Sequence, residues 1–205
     1  MSFAQKYRAK IFTGKGNILL ELYDSTPKHR DNFIKLAREN FYNGTLFHRV
    51  IPGFMIQGGD PNSKTAQVGQ LLGDGDVGYT IPAEFVSSYF HRRGALAQAR
   101  DDNPAKASSG CQFYIVTGKT FTEADYQKEA QRAGRKISAA QKNIYETDGG
   151  APHLDGNYTV YGQVLKGMDV ADTIVNQPRD KNDRPNKNQE IIKIKILKRY
   201  LFVWI

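Results

Sequence analysis

One arginine stands inside an apolar stretch of the chain, where its charge could do chemistry. Residues 45–60 read TLFHRVIPGFMIQGGD, so Arg49 is surrounded by Phe, Val, Ile and Met side chains before the stretch closes on two glycines. A guanidinium keeps its charge and is costly to bury without an acceptor. The stretch therefore predicts that Arg49 donates to an acceptor in the protein or in a ligand. The structural alternative is an arginine that reaches solvent or pairs with a carboxylate such as Asp60 or Glu84.

The other reactive residue types give weaker signals. Cys111 is the only cysteine and precedes an apolar run, where a small packed thiol is commoner than a nucleophile. No serine lies in a G-x-S-x-G sequence. A metal site is not expected either, because the histidines lack the i, i+4 and finger-like spacings of ligands. These histidines are His29, His48, His91 and His153.

Residues 73–78, GDGDVG, match the glycine pattern of a dinucleotide-binding loop. Such a loop needs a strand that leads into it and a helix that leaves it. Residues 67–72 are too short for that strand, and residues 79–85 contain a proline and no helical period. Asp74 and Asp76 resemble the start of a calcium loop, but the later ligand positions are missing. We therefore expect a surface loop, with no cofactor and no metal.

Many short strands and few helices must position Arg49. Residues 45–60 read as strand, turn and strand, and the other strands follow from period-two alternation or short apolar runs. These strands are expected at residues 7–13, 18–23, 94–99, 112–117, 158–165 and 191–201, the last with Ile192, Ile194 and Ile196 alternating with Lys193 and Lys195. This pattern favours an all-β barrel or sandwich.

Four helices are expected among these strands. Thr26 can cap a helix that begins at Pro27 and carries an apolar stripe to Phe41, and a short helix is expected at residues 168–175. After Lys119 the composition changes. Two capping-box patterns, at residues 122–125 and 138–141, predict two short helices within an insertion at residues 120–150.

Length and composition predict one domain over residues 1–205, because no low-complexity linker divides the chain. A single cysteine excludes an intramolecular disulfide. No apolar run could cross a membrane and residues 1–10 lack the core of a signal peptide, so we expect no membrane contact and a cytoplasmic protein, or a secreted or periplasmic one if a leader has been removed. The apolar residues 200–205 are expected to pack on the body or on another chain.

The net charge of +8 raises the question of an acidic partner. Cations outnumber acids between Arg179 and Arg199, and such a face could meet phosphates. The excess is dispersed, however, and has no pattern of stacking aromatic residues. A solvated basic surface is therefore favoured over a nucleic-acid site.

Residues 47–60, FHRVIPGFMIQGGD, closely resemble the signature of the cyclophilins, which are peptidyl-prolyl cis-trans isomerases. The resemblance continues in order through residues 96–99, LAQA, residues 109–117, SGCQFYIVT, and residues 153–162, HLDGNYTVYG. It covers nearly the whole chain. Only residues 120–150 and the last few residues have no counterpart.

The resemblance implies a closed eight-stranded antiparallel β-barrel with a helix over each open end, an interior filled by side chains and a groove on the outside. Arg49 is similar to the catalytic arginine of the family. The residues similar to its substrate-contacting set are Phe54, Met55, Gln57, Ala99, Gln112, Tyr114 and Leu154. Arg100, His153 and Tyr158 are expected to bind substrate at further positions of that set, where the residue type differs. Phe54, Met55, Tyr114 and Leu154 would line the pocket for the proline ring. Gln57 and the backbone near Arg100 would hold the peptide on either side.

The implied activity is rotation about X-Pro bonds in protein folding, without a cofactor, on proline-containing peptides and unfolded proteins. A proline-peptide binding module without catalysis is the alternative, because binding needs only the pocket. Three positions depart from the family pattern. His153 replaces a tryptophan associated with strong cyclosporin binding, so we expect weak binding of that drug and retained activity. Tyr158 replaces a histidine and Arg100 an asparagine, and both changes bear on substrate preference.

Overall fold

The computed structural model describes residues 7–200 and 203–204 and contains a closed antiparallel barrel of eight strands. The barrel strands are β1 (Tyr7–Thr13), β2 (Gly16–Leu22), β3 (Thr45–Ile51), β4 (Met55–Gly58), β6 (Ala95–Gln98), β8 (Phe113–Val116), β9 (Val160–Lys166) and β10 (Glu190–Tyr200). Two short strands, β5 (Thr80–Ile81) and β7 (Ser108–Ser109), pair outside the barrel, and β11 (Val203–Trp204) pairs with the end of β10.

The barrel closes because β1 pairs on both of its sides. Its order is β1-β2-β9-β6-β8-β4-β3-β10, with β10 returning to β1. Every one of these pairs is antiparallel. Closure leaves no open edge within this ring of strands. The predicted eight-stranded barrel is confirmed.

Four helices accompany the strands: α1 (Pro27–Arg38), α2 (Glu123–Ala133), α3 (Ala139–Thr147) and α4 (Met168–Val175). Helices α1 and α4 bury their apolar stripes in the cluster that fills the barrel. Phe33 of α1 meets Phe113 of β8 edge-on, with ring centroids 5.4 Å apart. This aromatic contact ties α1 to the strand that also carries candidate site residues.

The start of α1 differs from the sequence prediction. Thr26 makes no side-chain cap, and its hydroxyl instead lies 3.4 Å from the carbonyl oxygen of Tyr23. Glu84 supplies the cap from a distant loop, where its carboxylate accepts from the backbone N–H groups of Lys28 and His29. A carboxylate satisfies these unpaired donors and complements the positive end of the helix. Glu84 is therefore committed to α1 and is not a partner of Arg49.

The alternation in β10 is interrupted by a β-bulge. Phe12 lies opposite Lys193, whereas Thr13 lies opposite Ile191, so Ile192 has no counterpart on β1. Because of this extra residue, side chains before and after the bulge do not keep the strict alternation between the inside and the outside of the barrel. As a result, Ile191 and Ile194 are buried while Ile192 is 48% exposed, which corrects the strict alternation expected from the sequence.

Residues 120–150 form the two predicted helices, α2 and α3. The expected capping interactions are present, because Thr122 N donates to Asp125 and Ser138 N donates to Gln141 Oε1. These helices enclose a small apolar cluster of their own, with Phe121, Tyr126, Ile137 and Tyr145 at its centre. That they constitute an insertion in a single domain remains a prediction. The predicted packing of residues 200–205 depends on side chains outside the described residues and also remains a prediction.

Candidate active site

A second β-bulge turns Arg49 outward. Phe47 lies opposite Gly58 and Arg49 opposite Gln57, so His48 is the extra residue of β3. Without the bulge, Phe47 and Arg49 would share one face of the strand, because side chains alternate with a period of two. With the bulge, Phe47 is 1% exposed in the core while the side chain of Arg49 is 44% exposed on the outside.

The guanidinium of Arg49 is loosely held. Its NH1 group donates to Gln57 Oε1 at 3.4 Å, and its Nε lies 4.0 Å from a carboxylate oxygen of Asp183. Asp183 has a closer partner, the Nε of Arg179 at 3.1 Å. Asp60, a carboxylate weighed as a partner in the sequence, instead accepts from backbone N–H groups, at 2.7 Å and 2.6 Å. Arg49 therefore keeps donors available at the protein surface.

A cleft of about 170 Å³ opens beside Arg49. The structure brings nine of the predicted site residues together in its walls: Arg49, Phe54, Met55, Gln57, Ala99, Arg100, Tyr114, Leu154 and Tyr158. Met55 and Tyr114 are almost fully buried, and they belong to an apolar cluster separate from the one inside the barrel. The cleft therefore combines an apolar wall with a fixed positive charge at its edge.

Gln112 and His153, the two remaining predicted residues, lie outside the lining of this cleft. Gln112 accepts from Gln57 Nε2 at 3.0 Å and donates to the carbonyl oxygens of Gly73 and Gly75 at 2.6 and 2.8 Å. Because Gln57 donates with its nitrogen, its oxygen is the atom that faces Arg49. His153 lies behind Phe54, with ring centroids 5.3 Å apart.

A larger depression of about 580 Å³ continues the cleft and shares Gln57, Ala99 and Arg100 with it. The glycine-rich loop of residues 73–78 forms much of the far side, together with Gln112. Three carboxylates, those of Asp74, Asp76 and Asp101, belong to residues of its lining. The two depressions together form one groove.

The side chain of Arg100 is committed to neighbouring groups. Its Nε donates to the carbonyl oxygen of Asn157 at 2.8 Å, and its guanidinium lies over the ring of Tyr158, 4.7 Å from the centroid. A cation over an aromatic face is attracted by the ring quadrupole. Tyr158 in turn meets Tyr114 edge-on, with centroids 6.1 Å apart. Arg100 and Tyr158 thus brace one end of the cleft as a pair.

Two functional candidates were missed in the sequence, His91 and Asp155. Both are buried, and His91 Nε2 lies 2.9 Å from the hydroxyl of Tyr114. Burial raises the pKa of Tyr114, so its hydroxyl stays protonated. In the sequence, His91 stands out only as a residue type that can bind metals. Asp155 lies in a polar run, LDGN, that reads as an ordinary turn, so no local signal marks it as buried.

Cys111 is the packed thiol that the sequence predicts. It is 0% exposed, and burial raises the pKa of its thiol to about 11. The backbone of Gly59 crosses close to it with a φ of +91°, where an added Cβ would lie 2.5 Å from the carbonyl oxygen of Cys111. Residue 59 must therefore be glycine, because of its positive φ and because a Cβ would clash with the backbone of Cys111.

Within residues 7–200 and 203–204, no group of three His, Cys, Asp or Glu residues is arranged to hold a metal ion. No helix in the same ranges has the length and apolar character needed to cross a membrane.

Comparisons with known proteins agree with this geometry. Residues 8–196 match the family described as Cyclophilin type peptidyl-prolyl cis-trans isomerase/CLD. A Streptococcus pyogenes protein named as a bifunctional phosphatase/peptidyl-prolyl cis-trans isomerase is 37% identical over 92% of this chain, and the chain spans only 38% of its length. A Staphylococcus saprophyticus protein named as a peptidyl-prolyl cis-trans isomerase is 34% identical, over 91% of this chain and 90% of that protein.

A solved structure is also similar. It is that of a Cryptosporidium parvum cyclophilin type peptidyl-prolyl cis-trans isomerase in the presence of the dipeptide Ala-Pro. Its TM-score is 0.68 and its sequence identity 26%, and the match covers 91% of this chain and 96% of that chain.

Proposed function

Because this chain belongs to the family of cyclophilin-type peptidyl-prolyl cis-trans isomerases, we propose that it accelerates rotation about X-Pro peptide bonds in the cleft beside Arg49. One observation carries this proposal: a half-exposed guanidinium, free of a close ion pair, stands at the edge of an apolar cleft. The substrates we propose are proline-containing peptides and unfolded proteins. The presence of Ala-Pro with the Cryptosporidium parvum relative supports this choice.

The reaction needs an electrostatic group and no bond-making catalyst. An amide resists rotation with a barrier of roughly 18–20 kcal/mol, because resonance delocalises the nitrogen lone pair into the carbonyl. In the twisted transition state that lone pair is localised on the proline nitrogen and becomes a hydrogen-bond acceptor. A guanidinium placed beside it stabilises the twisted amide more than either planar form, which is the condition for catalysis.

The walls of the cleft supply the rest of the effect. Phe54, Met55 and Leu154 would hold the proline ring while the carbonyl side of the bond turns. Acceleration from about 100 s to milliseconds requires a factor of about 10⁵, or roughly 7 kcal/mol. One charge-assisted hydrogen bond supplies only about 1.5–3 kcal/mol. The preferential binding of a twisted peptide must therefore supply the remainder.

Two further parts of the proposal rest on single residues. His153 packs against Phe54 and departs from the tryptophan that the resemblance associates with strong cyclosporin binding, so cyclosporin-type ligands are proposed to bind weakly. The cytoplasm is the compartment we propose, supported by a fold whose only cysteine is buried and unpaired. Cell fractionation followed by immunodetection tests the second point, and enrichment in a secreted or periplasmic fraction would contradict it.

Exchange NMR on an Ala-Pro-containing peptide tests the proposed activity. We expect the cis and trans signals to broaden and exchange when the protein is added at a small fraction of the peptide concentration. Binding of the peptide without faster exchange would instead support the module that binds and does not catalyse.

A further inference from the structure

The helical insertion reaches the back of the cleft through buried hydrogen bonds. Asp155 follows Leu154 of the cleft wall and is 1% exposed. Its Oδ1 accepts from the backbone N–H of His91 at 2.8 Å and lies 2.9 Å from His91 Nδ1. Its Oδ2 faces the insertion and accepts from the hydroxyl of Tyr145 at 2.7 Å and from Gln141 Nε2 at 3.4 Å. One carboxylate thus joins helix α3 to His91.

His91 extends this connection to the cleft. Because the carboxylate of Asp155 only accepts, the Nδ1 atom of His91 carries the proton of that contact. In this tautomer Nε2 is the acceptor for the hydroxyl of Tyr114, 2.9 Å away. The two rings lie 13° from parallel, and both residues are buried. We call the series Tyr145, Asp155, His91 and Tyr114 the relay.

The relay restricts a wall of the cleft. A buried hydroxyl that loses its only acceptor is costly, so the ring of Tyr114 is held where His91 can accept from it. His91 is held in turn by Asp155, whose second oxygen depends on the insertion. A change in α3 is therefore expected to alter the position of the Tyr114 ring.

Helix α2 approaches Phe54, another residue of the cleft, through His153. Glu129 Oε2 lies 3.2 Å from His153 Nδ1, although the angle is not that of a hydrogen bond. The ring of His153 packs against Phe54 at 5.3 Å between centroids. Both helices of the insertion therefore approach the cleft, one behind Tyr114 and the other behind Phe54.

We propose that the relay positions the cleft for its substrate, with Tyr145 and Asp155 as positioning residues that fix the ring of Tyr114. This inference rests on the proposed isomerase function for its kinetic readout. It assigns to the insertion a role in substrate recognition, because the insertion supplies a buried donor on which the geometry of the cleft depends.

A double-mutant cycle tests the relay. Tyr145→Phe removes one hydroxyl and keeps the ring, and we expect it to lower kcat/KM about fivefold, the effect of one hydrogen bond, mainly by raising KM. In a Tyr114→Phe background the same change is expected to alter kcat/KM by less than about twofold, since the end of the relay is absent. Tyr126→Phe is the matched control, because that hydroxyl donates to the carbonyl oxygen of Lys142 within the insertion. Its kcat/KM is expected to stay at the wild-type value.

Two results would overturn the inference: an equal loss from Tyr145→Phe in both backgrounds, or a Tyr145→Phe enzyme that behaves as Tyr126→Phe does. Thermal unfolding verifies that each variant is folded, and Asp155→Asn replaces Tyr145→Phe in the cycle if that variant is not. An inactive wild-type protein would refute the proposed function instead. The same cycle measured as the dissociation constant of an Ala-Pro-containing peptide would then decide whether the relay positions the cleft.

Discussion

Replacing Arg49 by alanine separates catalysis from binding. The side chain is 44% exposed, and its two described polar interactions are long, at 3.4 Å to Gln57 and 4.0 Å to Asp183. Exposed ion pairs contribute about 0–1 kcal/mol. The free energy of unfolding should therefore change by less than about 1 kcal/mol, so the variant should remain folded.

The effect on the rate should be much larger. The guanidinium would form its best hydrogen bond only with the twisted amide, and a charge-assisted bond of about 1.5–3 kcal/mol corresponds to about 10- to 150-fold in rate. A cleft that excludes water strengthens such a bond further, toward the 10²- to 10³-fold typical of a lost transition-state donor. We expect kcat to fall about 10²-fold and the dissociation constant of an Ala-Pro-containing peptide to change by less than about threefold.

The assay is exchange NMR for the rate and isothermal titration for the affinity, on the same peptide. Arg38→Ala is the control, because it removes an equal charge from an exposed position in the last turn of α1. Arg49→Lys tests whether the planar guanidinium, with its several N–H donors in fixed directions, is needed. Lysine keeps the positive charge but has only a compact ammonium group, so we expect partial activity. Full kcat in Arg49→Ala, or a loss of affinity as large as the loss of rate, would refute the catalytic role of Arg49.

Three other outcomes follow from the structure. Gly59→Ala should lower the free energy of unfolding by roughly 2–4 kcal/mol in denaturant titrations, because of its positive φ and its approach to Cys111, whereas Gly14→Ala, with no atom within 4 Å of the added Cβ, should be near neutral. Burial lowers the pKa of His48 to about 4, whereas the same ring titrates at about 6.5 in the unfolded chain. Between these two pH values only the unfolded chain binds this proton, so the free energy of unfolding should fall by up to about 3 kcal/mol as pH drops from about 6.5 to 4. His48→Gln should remove that share of the pH dependence, and an unchanged slope would contradict this assignment. Cyclosporin should inhibit weakly, with His153→Trp strengthening inhibition at least about tenfold, and nanomolar inhibition of the wild type would contradict the expectation.

Local patterns in the sequence predict the elements well and their long-range adjustments poorly. Alternation and capping boxes define α2, α3 and most barrel strands because those signals lie within a few residues of one another. The apolar stripe predicts an α1 that continues to Phe41, but the helix ends at Arg38 because Asn40 adopts a left-handed conformation with a φ of 56°. The bulge at Ile192 depends on how two strands pair across the barrel, which neither strand specifies alone.

The same distinction applies to the site. The resemblance places Arg49 and most residues of the cleft, because they lie in contiguous blocks with few departures from the family pattern. It does not pair His91 with Asp155: the blocks that carry it include Asp155 but not His91, and the two residues are 64 positions apart and meet only in the folded protein. Tyr145 lies outside the sequence blocks that carry the resemblance. A buried network assembled from such separate pieces can be found only in three dimensions.

The buried thiol of Cys111 makes the protein convenient for site-specific fluorescent labelling. With a pKa of about 11, only about one thiol in ten thousand is ionised at neutral pH, and no reagent approaches it directly. Ala105 is exposed on the loop between β6 and β7, close to the groove. A dye attached to Ala105→Cys would therefore react at one place in the molecule and could report peptide arrival in real time without removal of the native cysteine.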